Sequence, residues 1–375
     1  MIYLDHAASS PILPEVYEQM LPWLSPENAA NPGSIHFKGR AAKDAIEKAR
    51  NQLAELINCK PDEIYFTSGG TEANNLCINL LWDKNIAYSA GEHPSVAKSC
   101  AMYGKRSRVI GLEKDGSVKM DEIEKFLFHR KPYNLSVMYV NNETGTCNPI
   151  REIGRMCAEA KTLLHVDGVQ AVGHTYIDVN KYYIDMMSIS GHKIGAPQGV
   201  GAAYIARHVD KSMPLIFGGG QESNLRSGTE NVAGIVALGA AAELASERLR
   251  NWRYVWGCGR DVFITVLKEL MGNSFIINGG HYWSNIISLT IPGVNGEALC
   301  RMLDTKDIYI STRSACSSGS VTPSSTLIAM GLNRMDADCT VRISMGHNTT
   351  VHEMADAARA IAECVSVIKN SPMTL

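Results

Sequence analysis

Long apolar runs and an excess of one charge are both missing from this sequence of 375 residues. No apolar stretch reaches the roughly 20 residues that a membrane-spanning helix needs. The formal net charge is −2, and the lysines and arginines are scattered along the chain rather than clustered. A basic patch that would bind nucleic acid or an anionic membrane is therefore not expected, and neither is predicted as a partner.

Paired cysteines are also missing, although the chain contains ten cysteines. None is spaced as Cys-x-x-Cys, which argues against a zinc or an iron–sulfur site and favours a reducing compartment. The first residues, MIYLDHAASSP, have no basic region ahead of an apolar one, so they do not resemble a signal peptide. We expect a cytoplasmic protein.

The composition is that of a globular protein, with 45% hydrophobic and 20% charged residues. Strand-like and helix-like segments alternate through the first half of the chain, which predicts an α/β fold with a mainly parallel sheet. Apolar residues that recur at steps of three and four predict a helix over 37–57. Seven candidate strands predict a seven-stranded sheet flanked by helices: 63–66, 85–89, 108–112, 135–140, 163–167, 186–190 and 201–205.

The length of the chain exceeds the usual size of one domain, so we predict two. Alanine-rich sequence predicts a long helix over 234–250, and a second helical stretch follows it to 271. Residues 285–291 then alternate as in an antiparallel strand. We predict a large domain over 13–250 and a smaller α+β domain formed by 1–12 and 251–375.

One lysine, Lys193, directly follows a predicted strand, in the segment Ser-Gly-His-Lys. The strand is apolar and the neighbouring residues are small, so burial would favour the uncharged amine that imine chemistry needs. Considered alone, the residue is better explained as a solvated lysine in a surface loop.

Other polar residues follow the predicted strands of the same sheet. Asp167 ends one strand and suits a protonated ring nitrogen, and Gln170 suits a hydrogen bond to the same ligand. Gly70 and Thr71 lie at a strand-to-helix turn whose free N–H groups suit a phosphate, and His93 suits stacking on a flat ring. Each has a structural alternative: a helix cap, a glycine turn or an ordinary buried histidine. Together they indicate a site, because open α/β sheets bind ligands at the carboxyl ends of their strands.

Seven segments carry a resemblance to a known family, in this order: TSGGTEANN, GEHPSV, YVNNETG, HVDGVQ, SGHKIGAPQGVG, LRSGTEN and VRISMG. The chain resembles the cysteine desulfurases of the NifS/IscS type, which are class V, fold-type I enzymes that use pyridoxal 5'-phosphate (PLP). The resemblance runs from Tyr3 to Gly346, nearly the whole chain. It implies a fold-type I aminotransferase-like architecture, with a large PLP-binding domain and a smaller α+β domain.

The resemblance implies roles for the matching residues. Lys193 would bind PLP covalently, and Asp167 and Gln170 would contact its ring nitrogen and phenolate oxygen. His93 would stack on the ring and act in proton transfer. Arg342 would hold the substrate carboxylate, because a guanidinium fork binds both carboxylate oxygens. The remaining implied residues are Gly70, Thr71, Ser190 and His192 for the cofactor phosphate and Asn142 for cofactor and substrate.

Two further implied roles concern a second subunit and the sulfur itself. Thr229 is similar to a threonine that reaches the phosphate of the neighbouring subunit, which implies a homodimer with shared active sites. Cys316 lies among small and polar residues, and the resemblance implies that its thiolate takes the sulfur of L-cysteine as a persulfide and leaves L-alanine. Arg313 stands where the family usually has a glycine. A sulfur-acceptor protein, such as an iron–sulfur scaffold or a thiolation enzyme, is the implied partner.

Two classes of alternative function remain open. Selenocysteine lyases, cystine C–S lyases and class V aminotransferases share the same cofactor site, but they need not use a thiol. Cys316 favours a desulfurase over an aminotransferase or a cystine lyase, and selenocysteine stays open as a side substrate. A non-catalytic scaffold that has kept the fold is the second alternative. The joint presence of Lys193, Asp167 and His93 with Arg342 and Cys316 argues against it.

Overall fold

The computed structural model of the protein describes residues 1–128, 130–280, 285–312 and 323–370. In chain order the strands are β1 (Ile2–Tyr3), β2 (Ile64–Thr67), β3 (Ile86–Ser89), β4 (Ser107–Ile110), β5 (Asn134–Met138), β6 (Leu164–Asp167), β7 (Met186–Ser190), β8 (Gly201–Ile205), β9 (Ile276–Asn278), β10 (Ile286–Thr290), β11 (Ile308–Tyr309) and β12 (Thr340–Ser344). The α-helices are α1 (Pro14–Met20), α2 (Phe37–Ile57), α3 (Gly70–Asn79), α4 (Pro94–Ala101), α5 (Met120–Leu127), α6 (Ile150–Ala160), α7 (Val232–Met271), α8 (Gly296–Asp304), α9 (Ser325–Ala329), α10 (Arg334–Asp338) and α11 (Val351–Asn370).

The main sheet of the described structure has seven strands in the order β2-β8-β7-β6-β5-β3-β4. Strands β4, β3, β5, β6 and β7 run parallel, and β8 runs antiparallel to both of its neighbours, β7 and β2. Every residue of β5, β6, β7 and β8 is buried, which is typical of a sheet covered by helices on both faces. The predicted α/β fold with a mainly parallel seven-stranded sheet is confirmed.

Helix α2 begins and ends at the residues that its apolar periodicity predicts, Phe37 and Ile57. It ends because Asn58 adopts a left-handed conformation, with a φ of 57°, and its N–H bonds the carbonyls of Ala54 and Glu55. Its apolar face packs against α7. The residues of that buried face are Ala42, Ile46, Ala49, Leu53 and Ile57.

Helix α7 is one continuous helix of 40 residues, where the sequence predicts two helical stretches. Residues 235–242 belong to the apolar core around the main sheet, and residues 245–267 belong to a second core with β10, β12 and α11. The predicted domain boundary at 250 therefore falls inside this helix, and the division into two domains remains our proposal. Among the described residues, no helix combines the length and apolar character that crossing a membrane requires.

The N-terminal segment connects the two cores. Strand β1 pairs in parallel with β11, and Asp5 forms a β-bridge with Ser344 at the end of β12. The segment then passes to the main sheet, where the N–H of Ser10 donates to the carbonyl oxygen of His192 at 2.8 Å. Residues 5–10 therefore lie beside the carboxyl end of β7.

Two histidines, His165 and His174, are buried and neutral in the described structure. The ring of His165 lies between the hydroxyls of Ser136 and Ser188, at 2.9 and 3.0 Å. The ring of His174 packs against Trp256, with 5.5 Å between the ring centroids. Burial lowers the pKa of each ring from 6.5 to about 3.

We expect the free energy of unfolding to fall as the pH is lowered from 7 to 5. The pKa of each ring is lower in the folded than in the unfolded state, so protons bind preferentially to the unfolded chain below pH 6.5. At pH 5 each ring would account for a loss of about 2 kcal/mol. We would measure the free energy of unfolding with urea at pH 7 and at pH 5. Between these pH values it should fall by about 2 kcal/mol less in His174→Phe than in wild type. His352→Phe, at an exposed position of α11, should behave as wild type; an undiminished loss in His174→Phe would contradict the assignment.

Candidate functional site

A cavity of about 300 Å³ lies where β6 and β7 end, beside the start of α3. Its walls come from seven separate parts of the described chain, including the N-terminal segment at Ala7 and Ala8. Of the predicted site residues that the structure describes, all except Thr229 line this one cavity. They are Gly70, Thr71, His93, Asn142, Asp167, Gln170, Ser190, His192, Lys193 and Arg342.

The start of α3 forms one wall of the cavity. Gly69 has a φ of 153°, which side-chain-bearing residues rarely adopt, and it turns the chain from β2 directly into the helix. A side chain at Gly70 would place its Cβ 2.7 Å from Cγ2 of Val169, so only glycine allows this close approach. The N–H groups of the first helical turn, with the helix dipole, favour an anion at this wall.

Asp167 is the last residue of β6 and is only 2% exposed. One carboxylate oxygen, Oδ1, accepts the N–H of Val169 at 3.0 Å, and the other, Oδ2, accepts from Nδ2 of Asn74 at 2.9 Å. None of the ion pairs found among the described residues involves this carboxylate. A buried carboxylate without a cationic partner is costly, so the position favours a ligand that brings a positive charge.

His93 immediately precedes α4 and caps it. Its Nδ1 accepts the N–H of Ser95 at 3.2 Å and lies 2.7 Å from the Ser95 hydroxyl. Burial lowers the pKa of His93; the negative charge of Asp167 opposes this shift and the positive charge of Lys193 adds to it.

Lys193 follows β7 in a short 3₁₀ turn, and its Nζ points to the N-terminal segment. The amine donates to the carbonyl oxygens of Ala7 and Ala8 at 2.6 and 2.7 Å. The side-chain amide of Gln170 also donates to the carbonyl of Ala7, at 2.9 Å. His192, whose pKa burial lowers to about 4, lies 3.2 Å from the hydroxyl of Ser9. The N-terminal segment thus orients several groups of the cavity at once.

Arg342, in the middle of β12, is 2% exposed and reaches the cavity from the second core. One Nη donates to the carboxylate of Asp5 at 2.8 Å, and the other donates to the carbonyl of Asn142 at 2.9 Å. Its Nε has no hydrogen-bond partner within the described residues. A buried guanidinium with an unused N–H suits an anionic ligand such as a carboxylate.

Thr229 lies elsewhere, and Cys316 falls in a part of the chain that the structure does not describe. Thr229 is exposed and does not line the cavity of its own chain. Cys316 and Arg313 lie outside the described residues, but the residues on both sides of that gap are next to the cavity. Ser311 exchanges two backbone hydrogen bonds with Arg342, and the hydroxyl of Ser324 donates to the carboxylate of Glu143, which follows Asn142.

Several residues of the site have no clear signal in the sequence. Asn74 and Ser95 join Asp167 to His93, and Asp5 pairs with Arg342. Glu92 is buried beside His93, and burial, with the charge of Asp167, raises its pKa to about 8. The spacing of Asn74 from Gly70, one helical turn into α3, could have indicated a residue that faces the same ligand as the helix start.

Comparisons with known proteins agree on one family. The model of the aminotransferase class-V family matches residues 2–356. A cysteine desulfurase IscS from Methanosarcina thermophila is 38% identical over 383 residues, which cover 100% of this chain and 94% of that protein. A solved NifS-like protein superposes with a TM-score of 0.89 at 32% identity, covering 97% and 99% of the two chains. The structure of SspA in complex with cysteine superposes with a TM-score of 0.79 at 33% identity, covering 92% and 99%.

Proposed function

The chain belongs to the aminotransferase class-V family, among its cysteine desulfurases, and from that membership we propose a PLP-dependent reaction in which Cys316 takes sulfur from L-cysteine. The observation that carries the proposal is one cavity that holds Lys193, Asp167 and Arg342 together. These three groups can bind an aldehyde cofactor, a protonated ring nitrogen and a substrate carboxylate.

The residues of the cavity fit PLP by their chemistry. Lys193 supplies the amine, the start of α3 supplies N–H groups for the phosphate, and buried Asp167 would balance the charge of a protonated pyridine nitrogen. Ser190 and His192 line the same cavity and would also contact the phosphate. Gln170 and His93 would contact the ring. When bound, PLP supplies an electron sink for bonds broken at the substrate carbon atoms.

The residues of this chain then bind and orient L-cysteine. Arg342 lines the cavity and would hold the substrate carboxylate with its guanidinium, and Asn142 lines the cavity beside it. The amine of Lys193 would remove the proton from Cα of the substrate, because it is a basic group within the same cavity. Binding of cysteine by the structural relative SspA supports this choice of substrate.

We propose that the sulfur moves to the thiolate of Cys316. A bond forms between Sγ of Cys316 and the substrate sulfur while the substrate Cβ–S bond breaks, and protonation of the carbon fragment yields L-alanine. Thr312, the last described residue before the gap, is four residues from Cys316, a span of at most about 14 Å. The span begins beside the cavity, because Ser311 is hydrogen-bonded to Arg342, which lines it.

The proposed partners are a second copy of the chain and a sulfur acceptor in the cytoplasm. Thr229 is exposed and does not line the cavity of its own chain, which supports a role at the site of a neighbouring subunit. A homodimer with shared active sites follows from that proposal. The persulfide would then pass to an acceptor protein for iron–sulfur cluster assembly or thiolation, and neither nucleic acid nor a membrane is proposed.

The proposal is tested by incubating the purified protein with L-cysteine and dithiothreitol and measuring sulfide and alanine. We expect equal amounts of both products from wild type and neither from Cys316→Ala. Cys339→Ala, at a half-buried cysteine outside the cavity, is the matched control and should keep both products. Full activity of Cys316→Ala on L-cysteine would refute the persulfide step and favour a simple C–S lyase.

A further inference from the structure

Asp167 and His93 both line the cavity, and a chain of hydrogen bonds joins them through Asn74 and Ser95. Nδ2 of Asn74 lies 2.9 Å from Oδ2 of Asp167 and 2.9 Å from the hydroxyl of Ser95. That hydroxyl lies 2.7 Å from Nδ1 of His93. Asn74 is only 1% exposed, so these contacts are not shared with bulk water.

At the Asp167 end the donor must be the amide of Asn74. A carboxylate only accepts, so the Asn74 atom that faces Oδ2 is Nδ2, and its two N–H groups serve Asp167 and Ser95. The amide oxygen of Asn74 is buried and has no partner within the described residues. Rotating the amide would place this oxygen against the carboxylate, and two acceptor oxygens would then repel each other.

At the His93 end the direction is also determined. The backbone N–H of Ser95 points at Nδ1 of His93, at 3.2 Å, and an N–H group can only donate. Nδ1 therefore carries a lone pair. The hydroxyl of Ser95 accepts from Asn74 and donates its own hydrogen to Nδ1, so both bonds between Asn74 and His93 run toward His93. A neutral imidazole has a single N–H, which must then be on Nε2.

We propose that Asn74 and Ser95 are positioning residues that hold His93 as the Nε2–H tautomer, so that it serves the cavity as a hydrogen-bond donor and not as a base. The inference rests on the proposed function only for the identity of the molecule that His93 contacts. It replaces the proton-transfer role that the family resemblance implies for His93 and leaves the amine of Lys193 as the base. Asp167 and Lys193 are the charged groups that act on the ring.

The tautomer can be observed directly in the holoenzyme. We would label the histidines with ¹⁵N and record long-range ¹H–¹⁵N correlations near pH 7.5, identifying the His93 ring by its loss in His93→Gln. The expected result is a proton on Nε2 and a lone pair on Nδ1. A proton on Nδ1, or on both nitrogens, would overturn the proposal. This readout needs no turnover, so it is independent of whether the chain desulfurates L-cysteine.

Four substitutions separate positioning from general structural support. In Ser95→Ala and Asn74→Ala we expect a smaller fraction of the Nε2–H tautomer and a fall in kcat/KM of about tenfold, the effect of one lost hydrogen bond. Ser95→Thr keeps a hydroxyl and should regain most of what Ser95→Ala loses. Asn75→Ala is the matched control: Asn75 is a half-buried amide of α3 that bonds Thr71 and Ser99, and not Asp167 or Ser95, so its loss should leave the tautomer unchanged. Spectra of Ser95→Ala and Asn74→Ala identical to wild type would refute the role of both residues.

Discussion

Replacing Lys193 by alanine is expected to abolish PLP retention and to lower kcat with L-cysteine by at least about 10³-fold. The amine is the group that would bind the aldehyde and then move the proton at the substrate Cα, and no other lysine lines the cavity formed by the described residues. Visible absorbance of the purified protein reports the bound cofactor, and alanine formation reports turnover.

The control for this prediction is Lys211→Ala. The amine of Lys211, like that of Lys193, donates to backbone carbonyls, including those of Ala206 and Val209, but Lys211 does not line the cavity. If Lys193 acted only by holding backbone carbonyls, both substitutions would have similar effects. We expect Lys211→Ala to keep the absorbance and the turnover. A Lys193→Ala protein that retains PLP and makes alanine at the wild-type rate would contradict the assignment.

The fold was predictable because its elements have strong local patterns. The apolar periodicity of 37–57 and the short buried strands around the site depend on nearby residues only, so the sequence indicates them directly. The strand-end residues Asp167 and Lys193 were predictable for a related reason, since parallel strands bring their carboxyl ends to one edge of a sheet. The continuity of helix α7 was not predictable from local patterns, because its side chains beyond residue 250 pack in the second core and not against the main sheet.

The hydrogen-bonded residues behind the site were not predictable. Asn74 and Asp167 are 93 positions apart in the sequence, and Asp5 and Arg342 are 337 apart, so their contacts exist only after the sheet and both cores have formed. Ser95 is close to His93 in sequence, but a serine near the start of a helix is usual in any protein. Its significance comes from the Asn74 amide that reaches it from α3.

Replacing Asp167 by asparagine is expected to lower kcat by about 10²–10³-fold, the second largest effect at this site. The substitution keeps the size of the side chain but removes the negative charge that would keep a pyridine nitrogen protonated. It also removes an acceptor, because both carboxylate oxygens accept hydrogen bonds, from Asn74 and from the N–H of Val169. An amide satisfies only one of these donors, so the visible absorbance of bound PLP should also change.

Asp185→Asn is the control for this prediction. It removes the charge of a carboxylate that lies beside the main sheet but outside the cavity. Asp185 directly precedes β7, at the amino end of that strand, where its Oδ2 accepts the N–H of Leu164 at 2.7 Å and its Oδ1 lies 2.7 Å from Nε2 of His208. It too is a carboxylate that binds a backbone N–H, but it does not line the cavity. Its loss should lower the melting temperature slightly and leave kcat and the absorbance of PLP as in wild type. If Asp167→Asn and Asp185→Asn had equal kcat values, Asp167 would be a structural carboxylate, and the proposed contact with the ring nitrogen would be wrong.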